Sequence, residues 1–205
     1  WWLNEMMLFP LLRADLFVKH NIGSDDQRRE MIEYAQSIKT QCNGAGLNFS
    51  NNNCWRHEFD YPDIKWLMEE VRLLTNTAID HYVKVDPSYA PKVREYQTPE
   101  VNYWTNINEP GSRNVMHDHR LHHYVAVYYL QGEGTGELVF HNPMNVLESC
   151  HPHAAFASKY AYFPHDGDLV LWPAWMPHET EVNNSNHQRI NVAFNIRFKT
   201  PRYIP

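Results

Sequence analysis

The stretch RINVAFNIRF, residues 189–198, alternates polar and apolar side chains from end to end. One set is apolar: Ile190, Val192, Phe194, Ile196 and Phe198. The intervening set is polar or small: Arg189, Asn191, Ala193, Asn195 and Arg197. Period two predicts a strand with two different faces. We expect helices to cover the apolar face and the polar face to line a cavity, although an ordinary solvated face fits this strand almost as well.

Helices are predicted before the strands along the chain. Ser24 and Gln27 form a capping box for a first helix, which is expected to end at Gly44, and a second helix is predicted to begin near Pro62. From about residue 100, strand patterns alternate with turn signals: VNYWTNI, YVAVYYLQ, ELVFHNP and DLVLW. The segment GEGTG is predicted to join the second and third as a hairpin. This order predicts a mainly β chain with flanking helices, an α+β fold whose N-terminal helices pack on one sheet.

The size and composition of the chain fit one globular domain: 205 residues, 43% hydrophobic and 20% charged. We expect that domain to span residues 1–205, with a strand and supporting helices in 1–98 and the β core in 99–205. A net charge of −6 without a basic block gives no electrostatic footprint for nucleic acid or an anionic membrane.

The opening of the chain and its cysteines bear on location. The apolar stretch WWLNEMMLFPLL is broken by polar residues and Pro10, so we expect an edge strand or packing arm and no membrane span. The cysteines lie far apart and no secretion signal is recognisable, which predicts reduced thiols in a cytoplasm.

Histidines are concentrated at HDHRLHH, residues 117–123. With 13 histidines in the chain, about one His-x-His pair is expected by chance. If residues 117–129 are extended, however, His117, His119 and Tyr129 share one face. His178 in WPAWMPHETEV is the best third ligand, and Arg189 follows it at the start of the two-faced strand. Two close ligands, a distant third and an arginine predict an open non-haem iron site with a carboxylate-binding guanidinium.

Other residues have alternative interpretations. We expect His122 and His123 at a loop-to-strand junction. Cys150, His151 and His153 are expected to face solvent, although they could bind zinc adventitiously. Three tryptophans are candidates for the pocket wall or the plain core: Trp104, Trp172 and Trp175. The segment from 144 to 163 is predicted to be a lid.

Five segments, in this order, resemble a known family. They are LFPLL, NNNCWRHEF, YWTNINEPGSRNVMHDH, VYYLQGEGTGELVFHNP, and WPAWMPHETEVNN followed by RINVAFN. Together they resemble the 2-oxoglutarate- and Fe(II)-dependent oxygenases, in particular a His-x-His subgroup found in marine bacteria and their phages. The resemblance implies a double-stranded β-helix, a jelly-roll or cupin-like barrel.

The resemblance also implies roles for individual residues. It places Fe(II) on His117, His119 and His178, and the far carboxylate of 2-oxoglutarate on Arg189 and Tyr129. Asn191, two residues after the arginine, is assigned to the same co-substrate site. The implied activity is that of a dioxygenase, specifically a hydroxylase that converts 2-oxoglutarate and O₂ to succinate and CO₂. The implied substrate is a small molecule or a peptide that the sequence does not identify.

Three positions depart from the family pattern. The wider superfamily has a carboxylate where this chain has His119, so the metal would have three imidazoles unless Asp118 turns inward. Arg120 stands where the subgroup usually has proline, and Asn191 where a small hydroxyl residue is common. Two alternatives stay open: a three-histidine dioxygenase independent of 2-oxoglutarate, and a non-catalytic β-barrel that binds a metal or ligand.

Overall fold

The computed structural model of the chain describes residues 14–41, 50–85, 99–143 and 159–198. Two helices lie in these ranges: α1 (Asp25–Gln41) and α2 (Lys65–Val85). Nine strands accompany them: β1 (Phe17–Lys19), β2 (Asn51–His57), β3 (Glu100–His117), β4 (Tyr124–Gln131), β5 (Leu138–His141), β6 (Lys159–Tyr162), β7 (Leu169–Pro173), β8 (His178–Thr180) and β9 (Arg189–Arg197). In the described ranges, neither helix has a stretch long and apolar enough to cross a membrane.

The strands form one hydrogen-bonded sheet of nine strands, which divides into two parts at the long strand β3. Hydrogen bonding runs in the order β1-β7-β4-β9-β3-β8-β5-β6, and β2 also pairs with β3. The first part of β3 pairs with β9 as far as Asn108, and its last part pairs with β8 from Asn114 to His117. Gly111, with φ of +84°, lies between the two pairings, a conformation that favours glycine. The strand can therefore leave the major sheet (β1, β7, β4, β9, β3 and β2) and enter the minor sheet (β3, β8, β5 and β6).

The two helices cover one face of the major sheet. The apolar residues of β9 lie here with Met31 and Ala35 of α1 and Leu67, Val71 and Ala78 of α2, all buried in one core. Burying a side chain of this size contributes about 1.5–3 kcal/mol, so the apolar side of β9 fixes which face the helices occupy. The predicted capping box starts α1, with Ser24 N and Gln27 Oε1 2.9 Å apart.

The opposite face of the major sheet lines the interior of the barrel. Strand β4 divides its side chains accordingly: Ala126 and Tyr128 belong to the helix-covered core, and Val125 and Tyr129 to an inner core shared with β5 and β7. The polar residues of β9 point the same way as this inner core. Their side of the strand lines a cavity, as the first of the two interpretations predicted.

One detail of the predicted elements is wrong. GEGTG does not make a hairpin, because β4 pairs with β7 and β9 while β5 pairs with β6 and β8. Both edges of β4 are taken by distant strands, so the glycine-rich link instead carries the chain from one sheet to the other. The second helix begins at Lys65, after a turn that includes Pro62. The opening arm, the end of the first helix near Gly44 and most of the predicted lid lie outside the described residues.

Candidate metal centre

Three histidines, His117, His119 and His178, converge in the cavity between the two sheets. Their ligand nitrogens all lie within 4.8 Å of one another. The ring centroids are 4.4 Å apart for His117 and His178, 5.0 Å for His117 and His119, and 5.2 Å for His119 and His178. His117 ends β3, His178 begins β8, and the two pair directly across the ladder. Within the described ranges, no other cluster of histidine, cysteine or carboxylate groups has metal-binding geometry.

Each imidazole of the triad bonds through Nδ1 to an oxygen atom. The acceptor for His117 is the carbonyl oxygen of Val115 at 2.8 Å, and the acceptor for His178 is that of Met176 at 2.9 Å. The acceptor for His119 is Oδ1 of Asn195 at 2.7 Å. Because these oxygens accept hydrogen bonds, Nδ1 carries the proton in each ring and Nε2 keeps its lone pair. Neutral imidazole with a bonded Nδ1–H is the usual form of a metal-binding histidine. The triad is thus prepared to bind a cation through three Nε2 atoms.

Burial keeps the triad neutral. Desolvation lowers the pKa of His119 to about 4, assisted by the neighbouring His117. It also lowers the pKa of His117, and it holds the pKa of His178 well below the ordinary value. A neutral imidazole has a lone pair to donate, so these rings are available as ligands at neutral pH.

Aromatic rings and one carboxylate surround the triad. Trp104 stacks on His119 with 14° between the planes, and Trp172 meets His178 edge-on at 4.9 Å. Both tryptophans line the cavity, whereas Trp175 is exposed and does not. Asp118 also lines the cavity, but its carboxylate accepts hydrogen bonds from Arg120, with Nε at 2.9 Å from Oδ2. The carboxylate is therefore turned away from the metal-binding cluster.

The cavity has a volume of about 360 Å³ and contains polar groups from β3, β8 and β9. Tyr129 and Asn191, both predicted at the co-substrate site, lie on its wall. Burial raises the pKa of Tyr129 far above its ordinary value, so the phenol stays protonated and can donate a hydrogen bond. Asn191 accepts from Asn106 Nδ2 at 2.9 Å, while Oδ1 of Asn106 is buried without a partner.

Arg189 is completely buried beside this cavity. Its Nη1 donates to the carbonyl oxygens of Thr135 at 2.8 Å and Glu181 at 3.3 Å, and its Nη2 donates to Thr180 Oγ1 at 2.8 Å. A guanidinium has five N–H groups, so Nε–H and one N–H of Nη2 have no acceptor, and Nε is buried. Burial lowers the pKa of Arg189, but the group stays charged. Among the described residues, no carboxylate pairs with it.

The remaining predicted residues are placed elsewhere. His122 and His123 follow the triad but do not join it; Nδ1 of His123 accepts from Phe198 N at 3.2 Å. The premise that residues 117–129 are one extended segment is wrong, because residues 118–123 are irregular and Leu121 has φ of +83°. Cys150, His151 and His153 lie outside the described residues. Cys54, which is described, is a buried free thiol.

Three cavity residues were not identified from the sequence. Asn195 accepts a hydrogen bond from His119, and Thr180 accepts one from Arg189. The guanidinium carbon of Arg56 lies 4.1 Å from the ring centre of Trp104. The sequence did indicate Asn195, because it belongs to the polar face of the strand at 189–197. It also indicated Thr180, because that residue lies two residues after His178 on the same side of β8. Arg56 is on a strand that pairs far along the chain, and nothing in the sequence indicated its position.

The fold and the triad together define a class: a β-barrel in which the ligand nitrogens of three histidines lie within 4.8 Å of one another beside a buried arginine. Residues 102–195 match the family model described as "Putative 2OG-Fe(II) oxygenase". This region of the chain is therefore similar to the 2-oxoglutarate- and Fe(II)-dependent oxygenases. The match confirms the predicted family, and the predicted cofactors, Fe(II) and 2-oxoglutarate, are those that the family's name specifies.

Solved structures with low sequence identity share the fold. A prolyl hydroxylase from Trichoplax adhaerens, in complex with a peptide fragment of hypoxia inducible factor, has a TM-score of 0.62 at 12% identity, covering 89% of this chain and 83% of that chain. A Pseudomonas putida prolyl-4-hydroxylase has 0.59 at 12% identity, covering 89% and 91%. HygX from Streptomyces hygroscopicus, with nickel and 2-oxoglutarate bound, has 0.55 at 14% identity, covering 92% and 83%. These likenesses confirm the double-stranded β-helix.

No curated protein sequence matches the chain significantly.

Proposed function

We propose that this protein is a 2-oxoglutarate- and Fe(II)-dependent dioxygenase that hydroxylates its substrate and forms succinate and CO₂. His117, His119 and His178 would hold the metal. Arg189 and Tyr129 would hold the far carboxylate of 2-oxoglutarate, with Asn191 beside it. The observation that carries the proposal is the convergence of three neutral imidazoles, with their nitrogens within 4.8 Å of one another, in the same barrel as a buried arginine without a carboxylate partner.

The donor set fits a divalent transition metal. Imidazole nitrogen suits iron among other first-row metals, and three ligands leave coordination positions for a co-substrate and oxygen. The bonds from Nδ1 fix the ring orientation before any metal arrives, so metal binding needs little rearrangement. His119 replaces the usual carboxylate, which makes the centre one unit more positive than in the wider superfamily.

The arginine fits the far carboxylate of 2-oxoglutarate. The unused N–H groups belong to adjacent nitrogens, Nε and Nη2, and such a pair matches the two oxygens of a carboxylate. Nη2 also bonds Thr180, which is two residues from His178 on the cavity side of β8. Two residues of strand span about 7 Å, a distance suited to a five-carbon diacid held at both ends. The protonated phenol of Tyr129 can add a third hydrogen bond.

When bound, Fe(II) would supply the activation of O₂ that couples oxidative decarboxylation of 2-oxoglutarate to oxidation of a C–H bond. The residues of the chain orient the reactants and exclude water. Trp172 and Val125 close the apolar wall beside the polar groups of β9. In such a partly dry cavity the charged pair at Arg189 is stronger than it would be in water.

Two measurements test the proposal. Mn(II) together with N-oxalylglycine, a 2-oxoglutarate analogue, should raise the melting temperature more than either alone, because the analogue binds both metal and arginine. With Fe(II), ascorbate and oxygen, the protein should convert 2-oxoglutarate to succinate. No stabilisation and no succinate after long incubation with candidate substrates would leave the non-catalytic binding barrel as the better account.

One observation favours a second candidate, a three-histidine dioxygenase that needs no keto acid. The carboxylate of Asp118 is bound to Arg120, so all three available ligands are imidazoles. Oxygen consumption by the Fe(II) protein with a substrate, but without 2-oxoglutarate, would support this candidate. The unpartnered Arg189 argues against it, because a keto-acid-independent enzyme has no evident use for that buried cation.

A further inference from the structure

A second arginine, Arg56, lines the cavity that contains the triad. Arg56 is on β2, and its guanidinium carbon lies 4.1 Å from the ring centre of Trp104. Trp104 in turn stacks on the His119 ring at 6.0 Å. The indole therefore contacts both the guanidinium and a proposed metal ligand. This contact fixes the position of a cation next to the proposed reaction centre.

Arg56 is poorly paired for a half-buried cation. Among the described residues, its one charged partner is Glu58, whose nearest oxygen is 3.6 Å from Nη2, too far for a good hydrogen bond. The Glu58 side chain is 75% exposed, so water weakens this interaction further. Burial correspondingly lowers the pKa of Arg56. Most of its N–H groups thus remain available to a ligand.

The charges around the cavity favour an anion at Arg56. Among the described residues on the cavity wall, Arg56 is the only arginine or lysine and Asp118 the only aspartate or glutamate. Asp118 has a charged partner at hydrogen-bond distance, Nε of Arg120 at 2.9 Å, whereas the charged partner of Arg56 is 3.6 Å away.

A groove continues outward from Arg56 and offers room for the rest of a substrate. Its volume is about 520 Å³, and it shares Arg56, Trp104 and Asn195 with the cavity of the triad. Phe59 and Tyr103 supply apolar surface there, and Glu58 and Asp60 lie at its rim. A molecule held at Arg56 can therefore extend in two directions, inward to the triad and outward along the groove.

We propose that Arg56 binds an oxyanion, a carboxylate or a phosphoryl group, of the substrate to be oxidised, and so restricts the enzyme to anionic substrates. This inference rests on the proposed function and defines its substrate class. The two arginines then have separate roles. Arg189 binds the co-substrate and Arg56 binds the substrate. A neutral backbone segment, such as a prolyl peptide, offers Arg56 carbonyl oxygens but no negative charge.

Three probes of the same shape test the assignment: benzoate, phenyl phosphate and neutral benzamide. Each is titrated by calorimetry into protein loaded with Mn(II) and N-oxalylglycine, so that Arg189 is already occupied. We expect at least one of the anions to bind at least tenfold more tightly than benzamide. Arg56→Gln should weaken that anion at least tenfold and leave benzamide unchanged, and Arg56→Lys should fall between. The anion that binds more tightly identifies carboxylate or phosphoryl as the substrate group.

Arg113→Gln is the matched control, because Arg113 is exposed on β3 and does not line the cavity. The proposal is overturned if neither anion binds better than benzamide, or if Arg56→Gln binds the anions as wild type does. Should Arg56→Gln fail to fold, the wild-type comparison of anion with benzamide still decides. Failure of the proposed function shows separately, as a wild-type protein that Mn(II) and N-oxalylglycine do not stabilise.

Discussion

The two ends of the polar face of β9 differ in how completely their polar groups are hydrogen-bonded. Near its end, Asn195 bonds His119, and every Nδ1 of the triad already has an oxygen acceptor. At its start, Arg189 is fully buried and keeps two N–H groups without acceptors. The metal end, formed by the triad, has its Nδ1 atoms bonded by other described residues, whereas among those residues the arginine end keeps N–H groups without acceptors. A cation site can be preset with neutral groups, but a buried cation needs its anion.

The largest effect is expected at the metal end from His178→Ala. Removing one of three proposed ligands should weaken Mn(II) binding by more than about 100-fold, since loss of even an outer partner costs 10- to 100-fold. Calorimetric titration measures this directly. His122→Ala, which removes a neighbouring histidine outside the triad, should bind Mn(II) as wild type does. Equal losses in the two variants would contradict the assignment of the metal end.

Arg189→Ala tests the arginine end. It should raise the Michaelis constant for 2-oxoglutarate by about 10- to 1000-fold, the range expected when one partner of a buried charged pair is removed. Succinate formation at varied 2-oxoglutarate gives the value, and Mn(II) affinity should change little. Arg197→Ala, at the exposed end of the same strand, is the control. An unaltered 2-oxoglutarate requirement would mean that another group binds the carboxylate.

Asn195→Ala separates ring orientation from ligation. The variant leaves His119 without its Nδ1 acceptor, so the ring can rotate or change tautomer. We expect Mn(II) affinity to fall by roughly 10-fold, less than for loss of His178. Asn195→Asp, which keeps an acceptor oxygen, should retain more affinity. Wild-type affinity in both variants would show that the triad orients itself without this bond.

A smaller effect is expected from Gly136→Ala. The added Cβ would lie 3.0 Å from the Val182 carbonyl oxygen and 3.3 Å from Nη1 of Arg189, at a φ of +98°. Gly134→Ala is a close control, because its φ is +70° but nothing lies within 4 Å. Both should lose about 1–2 kcal/mol of stability from backbone strain. Only Gly136→Ala should also weaken N-oxalylglycine binding, by up to about tenfold, and similar binding in both would remove crowding as a factor.

The prediction of the site combined a correct pattern with a wrong premise. His119 does lie with His117, but not because the segment continues as a strand. It leaves β3, its N–H bonds the carbonyl oxygen of Ala174 at 2.9 Å, and Asn195 and Trp104 hold the ring. The spacing of His-x-His therefore identified the pair, while contacts with distant elements set its geometry. Contacts with distant elements leave no pattern in the local sequence. The pairing of β4 with β7 and β9 is another contact of this kind, which is why the hairpin at GEGTG was wrongly predicted.

The sequence by itself determined the two-faced strand at 189–197, the mainly β fold with helices on the apolar side, and a set of imidazoles and a guanidinium suited to one family. Alternation and ligand chemistry are local properties, so a single chain can reveal them. Only the tertiary structure decided which strands pair, how closely the three imidazoles approach one another, and that Arg56 lines the same cavity as the triad. Those outcomes depend on pairings between residues far apart in sequence, whose geometry arises only when the sheets close.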